Sequence, residues 1–182
     1  MLKPKKPYWK DMYPDLVGLI KRSMETNRVC CLDTHMWPAD VAVVSDVAIG
    51  NTSPSAVIVS SLAGARVIFM DYSHVDREPL TTYATLHSLG PNRCVFHDND
   101  TLRRAMEEYY RDPSSNPCLG DATPVIDQFD PFRDGKASKR IGEHVGWYLD
   151  GIDSGLSRDG ALKAATRNYS DKWGEDKVVL GL

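Results

Sequence analysis

Between two apolar stretches the chain carries Gly50-Asn51-Thr52-Ser53-Pro54-Ser55, a small and polar segment at the head of a helix-like run. Those residue types suit an anion. A helix start leaves backbone N–H groups without intrahelical partners, and its dipole adds roughly half a positive charge there. The hydroxyls of Thr52, Ser53 and Ser55 add donors, and Gly50 lets a phosphate approach the main chain. The same residues also read as ordinary helix punctuation, with Ser53 as N-cap and Pro54 in the first turn. Both readings stand at this level.

Asp71, Tyr72 and His74 follow the most apolar run of the chain, RVIFMD. A carboxylate at such a strand end can accept hydrogen bonds from a ribose diol, with Tyr72 beside it for ribose or base; equally, Asp71 can cap a turn. His74 titrates near neutrality and is the candidate acid or base, or simply a solvated loop histidine. A third group, Lys136, Lys139 and Arg140, falls at the start of a later helix. Cations there oppose the helix dipole, which makes sense if Lys136 and Arg140 share an anion with the N–H groups. The plainer account is a solvated basic face with i,i+4 pairing toward Glu143 or His144.

Other chemistries find no support. No GxGxxG follows a strand, and Asp130 stands where a GxxxxGK[ST] loop needs its first glycine. HExxH, GxSxG and paired-cysteine patterns are missing. His35, His87, His97 and His144 have no metal spacing and read as structural or surface residues. Neither a metal nor a cofactor is expected.

These groups need a scaffold that turns several loops to one side. Tyr13, Leu16, Val17, Ile20 and Met24 mark one face of a helix. Residues 28–33 (RVCCLD) read as a short buried strand, and Pro38 opens a helix running to Asp46. A strand at 47–50, a helix at 54–63 and a strand at 66–71 follow. Val57, Ile58 and Val59 would suit a strand as well, but Ser53, Pro54 and Gly64 argue for the helix. A helix at 83–89, a strand at 93–97 and a helix at 101–111 continue the alternation. Residues 113–135 read as a loop, ahead of helices at 136–152 and 158–173. Ile141, Val145, Tyr148, Leu149 and Ile152 share one face of the first of these. The pattern predicts an α/β protein: a Rossmann-like parallel sheet flanked by helices, with two C-terminal helices.

At 182 residues the expectation is one domain over 1–182, with 136–182 as a C-terminal helical extension. A net charge of −3 gives no pull toward nucleic acid. No apolar run reaches the ~20 residues of a membrane helix, and the basic N-terminus is not followed by an apolar segment. Cys30, Cys31, Cys94 and Cys118 read as reduced thiols, most of them in the core, of a cytoplasmic protein.

The stretch VVSDVAIGNTSPSAVIVSSLAGARVIFMD resembles the donor-binding half of GT-B glycosyltransferases, where a Ser-rich turn, a small-residue helix and a strand leading to an acid follow one another. FDPFRDGKASKRIGEHVGWYLDGID and ALKAATRNYSDKWGEDKVV are similar to the tail of bacterial surface-carbohydrate biosynthesis proteins, and DGKASKR to a segment of CDP-glycerol glycerophosphotransferases. The resemblance implies the C-terminal half of a transferase in surface polysaccharide synthesis. Gly50, Asn51, Thr52, Ser53, Ser55, Lys136 and Arg140 would hold the donor diphosphate. Its partners would be a nucleotide-sugar and a saccharide or lipid-linked acceptor, and the protein would be cytoplasmic, peripheral at the inner face of the membrane. LKPKKP looks like the strand that opens this half in such proteins, with Lys5 in place of a histidine, so the acceptor-binding N-terminal domain is expected to be missing. Since that half commonly supplies the base, no catalytic residue is assigned. Glycerol-phosphate transfer and a non-catalytic nucleotide- or partner-binding module are the alternatives.

Overall fold

The computed structural model describes residues 1–4, 14–51, 54–72 and 82–178. The protein is α/β, and the chain divides into two compact units, Met1–Pro124 and Val125–Leu182. The second begins ahead of the extension expected from 136. No helix among the described residues is long and apolar enough to cross a membrane.

In the first unit α1 (Pro14–Glu25) and α2 (Pro38–Ala42) precede a βαβαβ run. It consists of β1 (Val47–Gly50), α3 (Pro54–Leu62), β2 (Arg66–Met70), α4 (Thr82–His87) and β3 (Val95–Phe96), with α5 (Asn99–Arg111) after it. The three strands form a parallel sheet in the order β1-β2-β3, with Gly50 opposite Phe69 and Met70 opposite Phe96. Val67, Ile68, Phe69 and Met70 are all buried, so both faces of β2 are covered, as a central parallel strand requires. Leu102 of α5 joins Ile68, Met70, Phe96 and Leu119 in the core, with Ala105, Met106 and Tyr109 packed against it.

Local chemistry accounts for the element ends. Residues 54–62 are helical despite their β-branched run. Val57, Ser60 and Ser61 are the buried positions of α3, at helical spacing. Gly64, at φ +94°, ends the helix as its N–H and that of Ala65 return to the carbonyls of Ser61 and Ser60. Asp98 caps α5 by accepting from the Thr101 N–H at 2.7 Å, which holds its carboxyl below the ordinary range.

Several expectations are corrected. The helix from Pro38 ends at Ala42, short of Asp46, and the loop read over 113–135 holds a helical turn at Ile126–Phe129. Residues 28–33 form no buried strand: Cys31 makes an isolated bridge with Leu2, and Cys30 is exposed. The next ladder bond would need an N–H from Pro4, which has none. The strand at 93–97 shortens to two residues. Of the four cysteines only Cys94 is buried, and burial pushes its thiol up to about 11, where it is inert at neutral pH.

The second unit is helical: a short α6 (Ile126–Phe129), then α7 (Ala137–Asp153) and α8 (Arg158–Trp173). Ser157 caps α8 through the Gly160 N–H. The two long helices cross closely, since a Cβ at Gly151 would lie 2.9 Å from that of Ala161. Of the apolar face read over 136–152, Tyr148 and Ile152 are half-buried and the other three residues are exposed. Ile141, Val145 and Leu149 are 65%, 48% and 53% exposed.

Candidate functional site

A parallel sheet turns the ends of all its strands to one edge, which is where βα loops can cooperate. Here that carboxyl edge collects Gly50 and Asn51 after β1, Asp71 and Tyr72 after β2, and His97 after β3. The Asp71 N–H donates to the Phe96 carbonyl at 2.8 Å, so the β2–β3 pairing runs up to the acid itself.

Asp71 is 1% exposed, and two histidines approach its carboxylate. His87, the last residue of α4, brings Nε2 to 3.9 Å from Oδ2; His97 brings Nδ1 to 3.9 Å from the same oxygen. The two rings stack 5.6 Å apart at 17°. His97 Nδ1 lies 2.9 Å from the Asp71 carbonyl, which only accepts, so this nitrogen is the donor. In neutral His97 the basic nitrogen is therefore Nε2. Protonation of either ring sets a cation beside a buried anion, so the trio can hold a proton or orient an imidazole.

Tyr72 is 53% exposed, and its hydroxyl donates to Asn99 Oδ1 at 2.7 Å, tying the end of β2 to the start of α5. Asn51 and Ser55 are exposed beside the start of α3. Of the residues singled out from sequence, Gly50, Asn51, Ser55, Asp71 and Tyr72 thus belong to this unit, with strand ends that share one edge. Thr52, Ser53 and His74 lie outside the described residues.

Lys136 and Arg140 belong to the second unit, where Arg140 has a defined partner. It is 3% exposed and grips Asp134 with both terminal nitrogens, at 3.0 and 2.9 Å. Its guanidinium lies 3.7 Å over the Phe132 ring and 5.6 Å from that of Trp173. Arg140, together with the Lys136 N–H, holds the Asp134 carboxyl down at about 2. An anion gripped by Arg140 would have to compete with this carboxylate. The plainer sequence account named Glu143 and His144 as partners; the carboxylate comes instead from the Asp134-Gly135 turn. Glu143 pairs with Lys172 of α8 at 2.9 Å.

No family model matches the chain, and no curated protein or solved structure is significantly similar to it. Function rests on the geometry.

Sequence reasoning passed over His87 and His97, read as structural or surface residues, because their meeting at Asp71 leaves no periodic signal. Asp98, Asn99 and Asp100, read from sequence as offering the N-cap of the next helix, also form an Asp-x-Asp sequence directly after β3, where no such metal motif was expected. Asp98 caps α5, and Asp100 is 85% exposed with Arg103 at 3.7 Å. Among the described residues no three His, Cys, Asp or Glu side chains are grouped to share a metal ion.

Proposed function

We propose that the first unit binds the donor of a GT-B-type glycosyl transfer in surface-polysaccharide synthesis, with the nucleotide-sugar lying across the carboxyl edge of the sheet. The reading is carried by one observation: the parallel register brings the Gly50–Asn51 turn, the start of α3 and the Asp71–Tyr72 strand end to the same edge. In this arrangement the diphosphate sits against the α3 N-terminus and the hydroxyls of Thr52, Ser53 and Ser55. Tyr72 meets the ribose or base. Asp71 accepts from the ribose diol, or, being covered, acts through His97. As the sugar C1–oxygen bond breaks and an acceptor hydroxyl takes the sugar, negative charge grows on the departing diphosphate. Main-chain N–H groups aimed at that charge lower the barrier. Lys136 and Arg140 are left out of this reading, because Asp134 already occupies the Arg140 fork.

Titration with nucleotides tests it. UDP- or GDP-sugars are expected to raise the melting temperature of the full chain, and Ser53→Ala or Asp71→Asn to reduce that shift by about tenfold in apparent affinity. A response to CDP-glycerol alone would move the chemistry to glycerol-phosphate transfer. No response to any nucleotide would overturn the reading in favour of a non-catalytic module.

A further inference from the structure

Helix α7 turns an apolar stripe to solvent. Ile141, Val145 and Leu149 recur every four residues, and all three are largely exposed. A different side of α7 packs on α8, through Gly151 against Ala161, so the stripe is not that seam. Gly142 and Gly146 run beside it, and a Cβ added at either would meet nothing within 4 Å. Glycine weakens a helix interior, yet no neighbour among the described residues calls for these two.

The charges of α7 are also reversed for a helix standing alone. Its first turn holds no acid and its last turn no base. Lys139 stands near the start, and Asp150 and Asp153 near the end, against the dipole. At about 3.6 residues per turn, Lys139, Asp150 and Asp153 fall on one flank of the stripe, the flank that carries Gly146. Lys139 reaches Glu143 only at 4.0 Å, and neither aspartate has an ion pair among the described residues.

The geometry points to a second copy of this chain as the occupant, with two α7 helices packed antiparallel about a two-fold axis at Val145. Ile141 of each copy then meets Leu149 of the other, and Val145 meets itself. Antiparallel helices set like flank against like flank, so Lys139 of each copy lies beside Asp150 and Asp153 of the other. The two-fold makes each complementarity twice. It also sets the charges that oppose one dipole beside the opposite charges of its partner. A parallel pair would instead set this flank of one copy against the opposite flank of the other, so these charges would not meet. The glycines on that flank allow the backbones to approach. One helix pair about 25 Å long is a small interface, so the dimer is weak and concentration-dependent.

Sedimentation equilibrium of the full chain over a rising concentration series tests this. A monomer–dimer equilibrium is expected, with Val145→Arg weakening it by at least about tenfold while circular dichroism and melting temperature stay unchanged. Should Val145→Arg unfold, Ile141→Gln takes its place with the same expectation. Lys139→Glu alone, or Asp150→Lys with Asp153→Lys, is expected to weaken the dimer about fivefold, and all three together to restore it. A wild-type chain that stays monomeric throughout overturns the proposal. So does a dimer indifferent to Val145→Arg, and a triple variant no tighter than its parts overturns the antiparallel register.

Discussion

The two ends of the same sheet are built for different purposes. At the amino end, residues 117–121 close over the strand starts. Gly120 accepts from the Val67 N–H and donates to the Arg93 carbonyl, both at 2.7 Å. Arg66 donates to the carbonyls of Pro117 and Leu119, and Arg93 to both the carbonyl and the carboxylate of Asp121. These cations are matched by fixed acceptors within the unit. At the carboxyl end His87 and His97 gather around the Asp71 carboxylate, each with a ring nitrogen 3.9 Å from Oδ2, and His97 Nδ1 also lies 2.9 Å from the Asp71 carbonyl. The pairs of Arg66 and Arg93 consolidate the fold at one end, whereas the other is the edge at which a parallel sheet meets its ligands.

Substitutions at the two ends should therefore fail differently. The largest effect on stability is expected at Gly120. Its φ is +68°, and a Cβ would lie 3.0 Å from that of Arg66 and 3.1 Å from the Val67 nitrogen. Gly120→Ala should destabilise the first unit by about 2–4 kcal/mol, read by urea unfolding. Arg66→Ala comes next, at about 1–3 kcal/mol, since it strips two carbonyls of their donor and removes a cation 5.1 Å from the Tyr109 ring.

At the other end Asp71→Asn keeps the shape of the side chain. It is expected to cost less stability than Arg66→Ala while abolishing most of the nucleotide-dependent rise in melting temperature. Equal loss of stability from both substitutions would erase the contrast between the ends.

The smallest effect is on acid stability at the amino end. Burial pushes the Asp121 carboxyl up, but hydrogen bonds from Thr123 and the charges of Arg93 and Arg66 outweigh it, and the net shift is downward. A depressed carboxyl stabilises the folded state above its unfolded pKa and loses that contribution as pH falls through the folded value. Arg93→Ala should therefore narrow the difference in unfolding midpoint between neutral and mildly acid pH, with little change in nucleotide binding.

Much of the scaffold was legible along the chain. The order of strands and helices from 47 to 111 follows from apolar periodicity, and Gly64 and Asp98 act within a few residues of the ends they set. The 28–33 strand was misread because its depth depended on a partner: Leu2 bonds with Cys30 and Leu32, but Pro4 has no N–H to continue the ladder. The anchor of Arg140 was within reach: its carboxylate lies only six residues upstream, on an Asp-Gly turn.

Local pattern in the amino-acid order thus decides which segments coil, which extend and which face of each is apolar, because capping, φ preference and periodicity act over a few residues. Only the folded chain decides that His87 and His97 meet Asp71, and that Ile141, Val145 and Leu149 of α7 stay exposed. Those outcomes depend on strand register and helix packing between residues far apart in order, where neither spacing nor composition records the distance.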